Sequence, residues 1–320
     1  MNSTIQEYLD SLQGKRIAVI GIGVSNTPLI KMLLRAGLSV TACDKKERED
    51  FDGLIEELES LGAEVRLGPD YMDGLDQDII FRTPGLRPDA TPLLAARERG
   101  SVITSEMEVF FQVCPCEIIA VTGSDGKTTT TTIISELLKK AGYNVYVGGN
   151  IGKPLLAETP NMEPDDMVVL ELSSFQLMTM DMSPEIAVVT NVAPNHLDVH
   201  KSMEEYVAAK ENIFVHQGTE DLAVFNWDNE ITRGFARKAS SNVMCFSRRE
   251  VLERGVYVKD EAIWCADRDG HRKVLPLSDI LLPGSHNVEN YMAAITAGNG
   301  LVSDVTIRLF SRSFGRVGDR

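Results

Sequence analysis

The stretch EIIAVTGSDGKTTTT, residues 117–131, decides the fold. Its first five residues form an apolar run that reads as a buried strand. Residues 132–140 (TIISELLKK) read as a helix that ends before Gly142. The turn between them has the make-up of a loop that holds a nucleotide's phosphates. Gly123 and Gly126 let backbone N–H groups approach anionic oxygens, and the helix start favours an anion. Lys127 adds a positive charge and Thr128 a hydroxyl suited to Mg²⁺. The pattern is GxxGKT, two residues shorter than GxxxxGK[ST], because Val121 stands where the longer pattern has glycine. On this loop alone, a threonine-rich helix cap is an alternative reading.

Working outward, strands and helices alternate on both sides. Upstream, residues 16–20 (RIAVI), 38–43, 63–67 and 78–81 read as strands, and a helix through Ala36 and another over 54–61 separate them. Residues 110–115 read as the hinge into a second unit. Downstream, strands are expected at 144–147, 167–172, 186–192, 221–226, 244–246, 256–258 and 262–265, with helices over 204–215 and 291–297. Such alternation predicts an α/β chain: a Rossmann-like parallel sheet followed by a central P-loop-type α/β domain.

Composition narrows the function classes. The 320 residues suffice for about two domains. A net charge of −15 argues against nucleic-acid partners, whose phosphates need a basic face. No run of eighteen apolar residues predicts a membrane span, and the start MNSTIQEYLDSLQGKR lacks the pattern of a signal peptide. The odd set of Cys43, Cys114, Cys116, Cys245 and Cys265 fits reduced thiols in a cytoplasm.

Several further groups carry chemistry. Gly21-x-Gly23-x-x-Asn26 follows a strand, and Asp44 lies about twenty residues on, as in a dinucleotide fingerprint. Asn26 replaces the third glycine, so a plain βα turn or a nucleotide ligand other than NAD competes with the NAD reading. Glu171 ends a strand, where a second Mg²⁺ ligand is expected, although a strand-end glutamate facing water has the same pattern. His196 follows another strand end and is a candidate for metal or substrate, whereas His200 reads as a surface residue. Lys210 reads plainly as a solvated helix lysine. His286, Asn287 and Asn290 open a helix, where asparagines either cap it or read an adenine edge.

Together these blocks resemble the Mur ligase family of peptidoglycan synthesis. The similarity rests on TGSDGKTTT (122–130), ELSSFQL (171–177), NHLDVHKSMEEY (195–206), YVAAKENIF (206–214) and LPGSHN (282–287). ELSSFQL is the block that discriminates among the sibling ligases, and it points to the one that adds D-glutamate to UDP-N-acetylmuramoyl-L-alanine. The resemblance implies ATP and Mg²⁺ as cofactors, a cytoplasmic monomer, and small-molecule substrates with no nucleic acid and no membrane insertion. It implies that Gly123, Ser124, Asp125, Gly126, Lys127, Thr128 and Thr129 surround the phosphates, with Asn150, Asn287, Asn290 and Arg320 completing the ATP site. Thr128 and Glu171 would hold one Mg²⁺. Glu171, His196 and Lys210, carbamylated into a carboxylate, would hold a second. Lys127, Glu171, His196 and Lys210 form the implied catalytic set. Val24, Ser25, Asp44, Lys45, Thr83, Pro84 and Gly85 would bind the UDP-sugar, Thr83 standing where the family usually has serine.

The implied division is a UDP-substrate domain over 1–111, an ATP-binding domain over 112–313, and a linker over 314–320 towards a third domain. The family's usual His-Arg in that linker reads Asp319-Arg320 here. By this reading the chain lacks most of the D-glutamate pocket and forms no product alone. Alternatives are a sibling or folate-type ligase and a non-catalytic nucleotide-binding homologue. An NAD oxidoreductase is opposed by Lys127 and Asn26.

Overall fold

Apolar runs with no polar alternation form the centres of two sheets, as strands do when both faces are covered. The computed structural model describes residues 4–194 and 200–315. His196 and Arg320 therefore lie outside the described residues. The chain divides into two units: one runs through Pro115 and takes in Lys153–Met162, and the other holds Cys116–Gly152 and the chain from Glu163 on.

In the first unit the strands are β1 (Arg16–Ile20), β2 (Ser39–Asp44), β3 (Glu64–Leu67), β4 (Ile79–Phe81) and β5 (Val102–Thr104). They form a parallel sheet in the order β3-β2-β1-β4-β5. The chain leaves β1 to one side and returns on the other at β4, so the carboxyl ends of these two strands flank a switch-point crevice. A Cβ added to Gly21, after β1, would stand 3.0 Å from Cβ of Thr83, after β4. Ala18, Ile20, Cys43, Ile80, Leu93 and Ala96 share one buried cluster.

In the second unit the strands are β6 (Glu117–Thr122), β7 (Val145–Gly149), β8 (Met167–Glu171), β9 (Ile186–Val189), β10 (Leu222–Asn226), β11 (Asn242–Ser247), β12 (Gly255–Lys259), β13 (Ala262–Asp267) and β14 (Gly270–Pro276). Their order is β14-β13-β12-β11-β10-β9-β6-β8-β7, antiparallel only at the two β12–β13 and β13–β14 pairings. Val121 pairs with Glu171 and Thr122 with Val189, which sets the ends of β6, β8 and β9 level. Their following loops thus meet at one edge. The helix Ser285–Ala297 is buried without interruption from Tyr291 to Ala297, and it packs against the helix Lys127–Ala141. Its small side chains permit that close approach.

Several expectations need correction. The threonine run is itself helical, because the helix begins at Lys127, directly after Gly126 at φ +79°. The helix expected over 204–215 is Met203–Glu211, started by Ser202, whose hydroxyl accepts from the Glu205 amide. The stretch 110–115, read as the hinge, does end at the division between the units after Pro115, but its first four residues belong to the helix Glu106–Val113. The return of 153–162 to the first unit, strand β14 and the helices Thr91–Glu98, Glu230–Lys238 and Asp304–Ser311 add to what the sequence pattern suggests.

Candidate active site

The phosphate loop leaves β6 between the loops that follow β8 and β9. Lys127 Nζ lies against it, donating to the carbonyls of Gly123 (3.1 Å) and Ser124 (3.0 Å). A Cβ on Gly123 would collide with Oγ1 of Thr190, and one on Gly126 with Oδ1 of Asn290. Both positions therefore require glycine, for close approach as much as for backbone conformation.

Glu171 does not face water. It is 1% exposed, and its carboxylate accepts from the Thr128 hydroxyl at 2.7 Å and from the Asn150 amide at 2.9 Å. Thr128 and Glu171 bring two hard oxygen donors together beside the phosphate loop, a set suited to Mg²⁺, which takes few protein ligands and completes its shell with phosphate and water. Among the described residues, no three His, Cys, Asp or Glu side chains gather as a metal site.

Two plain readings are overturned. Lys210 is not a solvated helix lysine but is 1% exposed, with Nζ donating to the Gly123 carbonyl (2.9 Å) and to Thr122 Oγ1 (3.3 Å). The amine sits 4.6 Å from the centre of the Tyr206 ring. Burial, and then the nearby Lys127 charge, pull its pKa down to about 7. Its helix packs on the site edge, which the local pattern YVAAKEN does not reveal. His200 is likewise buried: Nε2 lies 2.8 Å from Ser174 Oγ and Nδ1 3.4 Å from a Glu205 oxygen, while the ring stacks on Phe175.

Asn287 and Asn290 are also buried, and much of their bonding is internal. Asn290 Oδ1 accepts from Thr130 (3.3 Å), its amide donates to Asn287 Oδ1 (3.0 Å), and the Asn287 amide donates to the Pro283 carbonyl (2.7 Å). The pair ties one helix start to the other.

In the first unit, Oδ2 of Asp44 accepts from the Ile22 amide at 2.7 Å, which closes the glycine turn from the neighbouring strand. Val24, Ser25, Lys45 and Gly85 are exposed around it, and Thr83 and Pro84 are half-buried. Asn26, which takes the place of a third glycine, is buried and donates to the Ile20 carbonyl at 2.9 Å.

Comparison with known proteins decides among the readings. The Mur ligase middle domain matches residues 121–298. A UDP-N-acetylmuramoylalanine–D-glutamate ligase from Acetivibrio thermocellus is 50% identical over 321 aligned positions, covering 100% of this chain and 69% of that protein. The chain belongs to the Mur ligase family. Family members are ATP-dependent ligases of peptidoglycan-precursor synthesis. A Clostridium botulinum (strain 657) protein of the same name as the Acetivibrio relative is 47% identical over the same span. Among solved structures, the UDP-N-acetylmuramate:L-alanyl-gamma-D-glutamyl-meso-diaminopimelate ligase from Neisseria meningitides superposes with a TM-score of 0.62 at 21% identity, covering 95% of this Mur ligase and 99% of that chain. The UDP-N-acetylmuramate–alanine ligase of Thermotoga maritima gives 0.53 at 23% identity, covering 93% and 67%. At these identities the two structures speak for the fold alone. Among the described residues of this Mur ligase, no helix is long and apolar enough to cross a membrane.

Proposed function

We propose that this Mur ligase serves the step that joins D-glutamate to UDP-N-acetylmuramoyl-L-alanine with ATP and Mg²⁺, as a cytoplasmic monomer, and that this chain supplies the UDP-substrate and ATP sites of that reaction. The observation that carries the reading is the Thr128–Glu171 pair, held level with the phosphate loop at the switch point of the second sheet. The names of the relatives supply the substrates.

In this reading the substrate carboxylate attacks the γ-phosphorus of ATP, giving an acyl phosphate and ADP. The amine of D-glutamate then displaces phosphate through a tetrahedral intermediate. Both reactants of the first step are anions. Lys127, once turned from the loop carbonyls to the phosphates, offsets their repulsion, and the loop amides orient the nucleotide. Thr128 and Glu171 would hold Mg²⁺, which supplies charge neutralisation at the phosphoryl oxygens. His196 and Lys210 are proposed to complete a second metal site. Lys210 is chemically apt for its part, because an amine with pKa near 7 is substantially neutral and can add CO₂, releasing one proton and leaving a carbamate. Val24, Ser25, Asp44, Lys45, Thr83, Pro84 and Gly85 are proposed to receive the UDP-sugar at the first unit's switch point. Ser124, Asp125, Thr129, Asn150, Asn287, Asn290 and Arg320 are proposed around ATP.

Titration calorimetry tests the assignment on this chain. UDP-N-acetylmuramoyl-L-alanine should bind at least about tenfold more tightly than UDP-N-acetylmuramate. A non-hydrolysable MgATP analogue should bind as well. A chain that prefers UDP-N-acetylmuramate belongs with another step, and one that binds neither nucleotide is not the ligase proposed.

A further inference from the structure

Asn191, in the loop after β9, carries no motif of its own, yet it holds the phosphate loop at three points. Its Oδ1 accepts from the Asp125 amide at 3.0 Å, and its Nδ2 donates to the Asp125 carbonyl at 3.1 Å. Its backbone carbonyl accepts from the Ser124 amide at 2.9 Å. The neighbours reinforce it. Thr190 Oγ1 also donates to the Asp125 carbonyl at 2.6 Å. The Ser124 hydroxyl accepts from the Ala193 amide and donates to the Ala193 carbonyl, both at 2.9 Å.

We infer that Asn191 is a positioning residue for the phosphate loop, and that it divides the loop into two functional halves. A primary amide matches the N–H and C=O of a single residue edge to edge, because it offers one donor and one acceptor side by side. Asn191 uses both on Asp125, which fixes the two peptide groups flanking that residue as a strand neighbour would. The amides of Ser124 and Asp125 are thereby committed to the protein. Ser124 and Asp125 thus border the proposed ATP site as anchors, and their amides are not phosphate donors. A loop held in this way loses less ordering entropy when the nucleotide binds. The assignment of ATP to this loop rests on the function proposed above, whereas the anchoring itself does not.

The test combines hydrogen exchange in the nucleotide-free chain with binding of the MgATP analogue. In Asn191→Ala the Asp125 amide should exchange at least about tenfold faster, and the analogue should bind about tenfold more weakly, with a thermal midpoint within a few degrees of the wild type. Asn191→Asp keeps the acceptor for the Asp125 amide but loses the donor. Its Asp125 amide should stay protected while affinity still falls, a split that a general loss of stability does not produce. Should Asn191→Ala fail to fold, Asn191→Asp carries the test by that split. Unchanged exchange at Asp125 in Asn191→Ala, or faster exchange with unchanged affinity, overturns the inference. If the wild type binds no nucleotide while the exchange results hold, the proposed function fails and the anchoring stands.

Discussion

The Thr128 hydroxyl donates a 2.7 Å hydrogen bond to Oε2 of Glu171, joining the first turn of the helix after β6 to the end of β8. The other carboxylate oxygen takes the Asn150 amide, so one buried side chain serves two donors. Glu171→Gln keeps the shape but offers a single oxygen and no charge. One of the two donors then loses its acceptor, at about 1–3 kcal/mol. The expected outcome is a folded protein whose affinity for the MgATP analogue falls by about tenfold or more, with binding of the UDP-sugar unchanged. Calorimetry with each ligand measures both. Unaltered MgATP binding would remove Glu171 from the proposed metal site.

The fit at Gly123 gives a prediction about coupling. A Cβ there meets Thr190 Oγ1, and the Asn191 carbonyl lies at 3.2 Å. Gly123→Ala should therefore destabilise the chain by at least about 1–3 kcal/mol, the usual cost of overpacking. In a Thr190→Ala background much of that clash is gone. A double-mutant cycle in urea should show the pair less costly than the sum of its parts. Simple additivity would mean that the loop moves away from Thr190 without strain.

Glu106 gives the chain a pH dependence of definite sign. It is buried, and Oε1 accepts from the Leu156 amide at 2.9 Å, within the first unit. Burial outweighs that hydrogen bond and raises its pKa from 4.5 to about 7. Between these values the folded chain keeps a proton that the unfolded chain has lost, so Glu106 subtracts stability as pH rises from about 4.5 to about 7. Each tenfold difference in proton affinity between the folded and unfolded chains is worth about 1.4 kcal/mol. Glu106→Gln retains an oxygen for Leu156 and removes the titration. Its stability relative to the wild type should be greater at pH 8 than at pH 5 in urea unfolding, and a difference independent of pH would refute the account.

What is legible in the sequence follows from what is local. β1 and β6 stand out because each is an apolar run closed by a glycine turn, and their neighbours can be read for the same reason. Glu171 stands out because it interrupts such a run at its end. Lys210 and His200 read plainly as exposed because burial depends on what packs against them, and no polarity pattern in residues 203–211 shows that this helix covers the site edge; only the resemblance carried by YVAAKENIF implies a site role for Lys210. The helix start at Lys127 is hidden because threonine has a low intrinsic helix preference, which the Gly126 turn and the packing of Thr130 and Thr131 override. Asn191 gives no signal because its partners, Ser124 and Asp125, lie more than sixty residues away in the chain. The return of 153–162 is likewise a long-range choice with no punctuation of its own.

The burial of His200 leads to the last prediction. Its ring stacks on Phe175 at 5.0 Å between centres and meets Tyr206 edge-on at 5.1 Å, while Nε2 bonds Ser174 Oγ. The residue thus joins the short helix Ser174–Leu177, which follows Glu171, to the helix that carries Lys210. Packing and polarity can be separated by two substitutions. His200→Phe keeps the aromatic contacts but leaves Ser174 Oγ without this hydrogen-bond partner, at about 1–3 kcal/mol. His200→Ala loses the ring as well and should cost more, about 3–5 kcal/mol if it behaves as other buried aromatics do. Adding Ser174→Ala to His200→Phe removes the stranded hydroxyl, so the double variant should recover most of the Phe penalty in urea unfolding. If Ser174→Ala recovers nothing, the hydrogen bond has no energetic part, and ring packing alone joins the two helices.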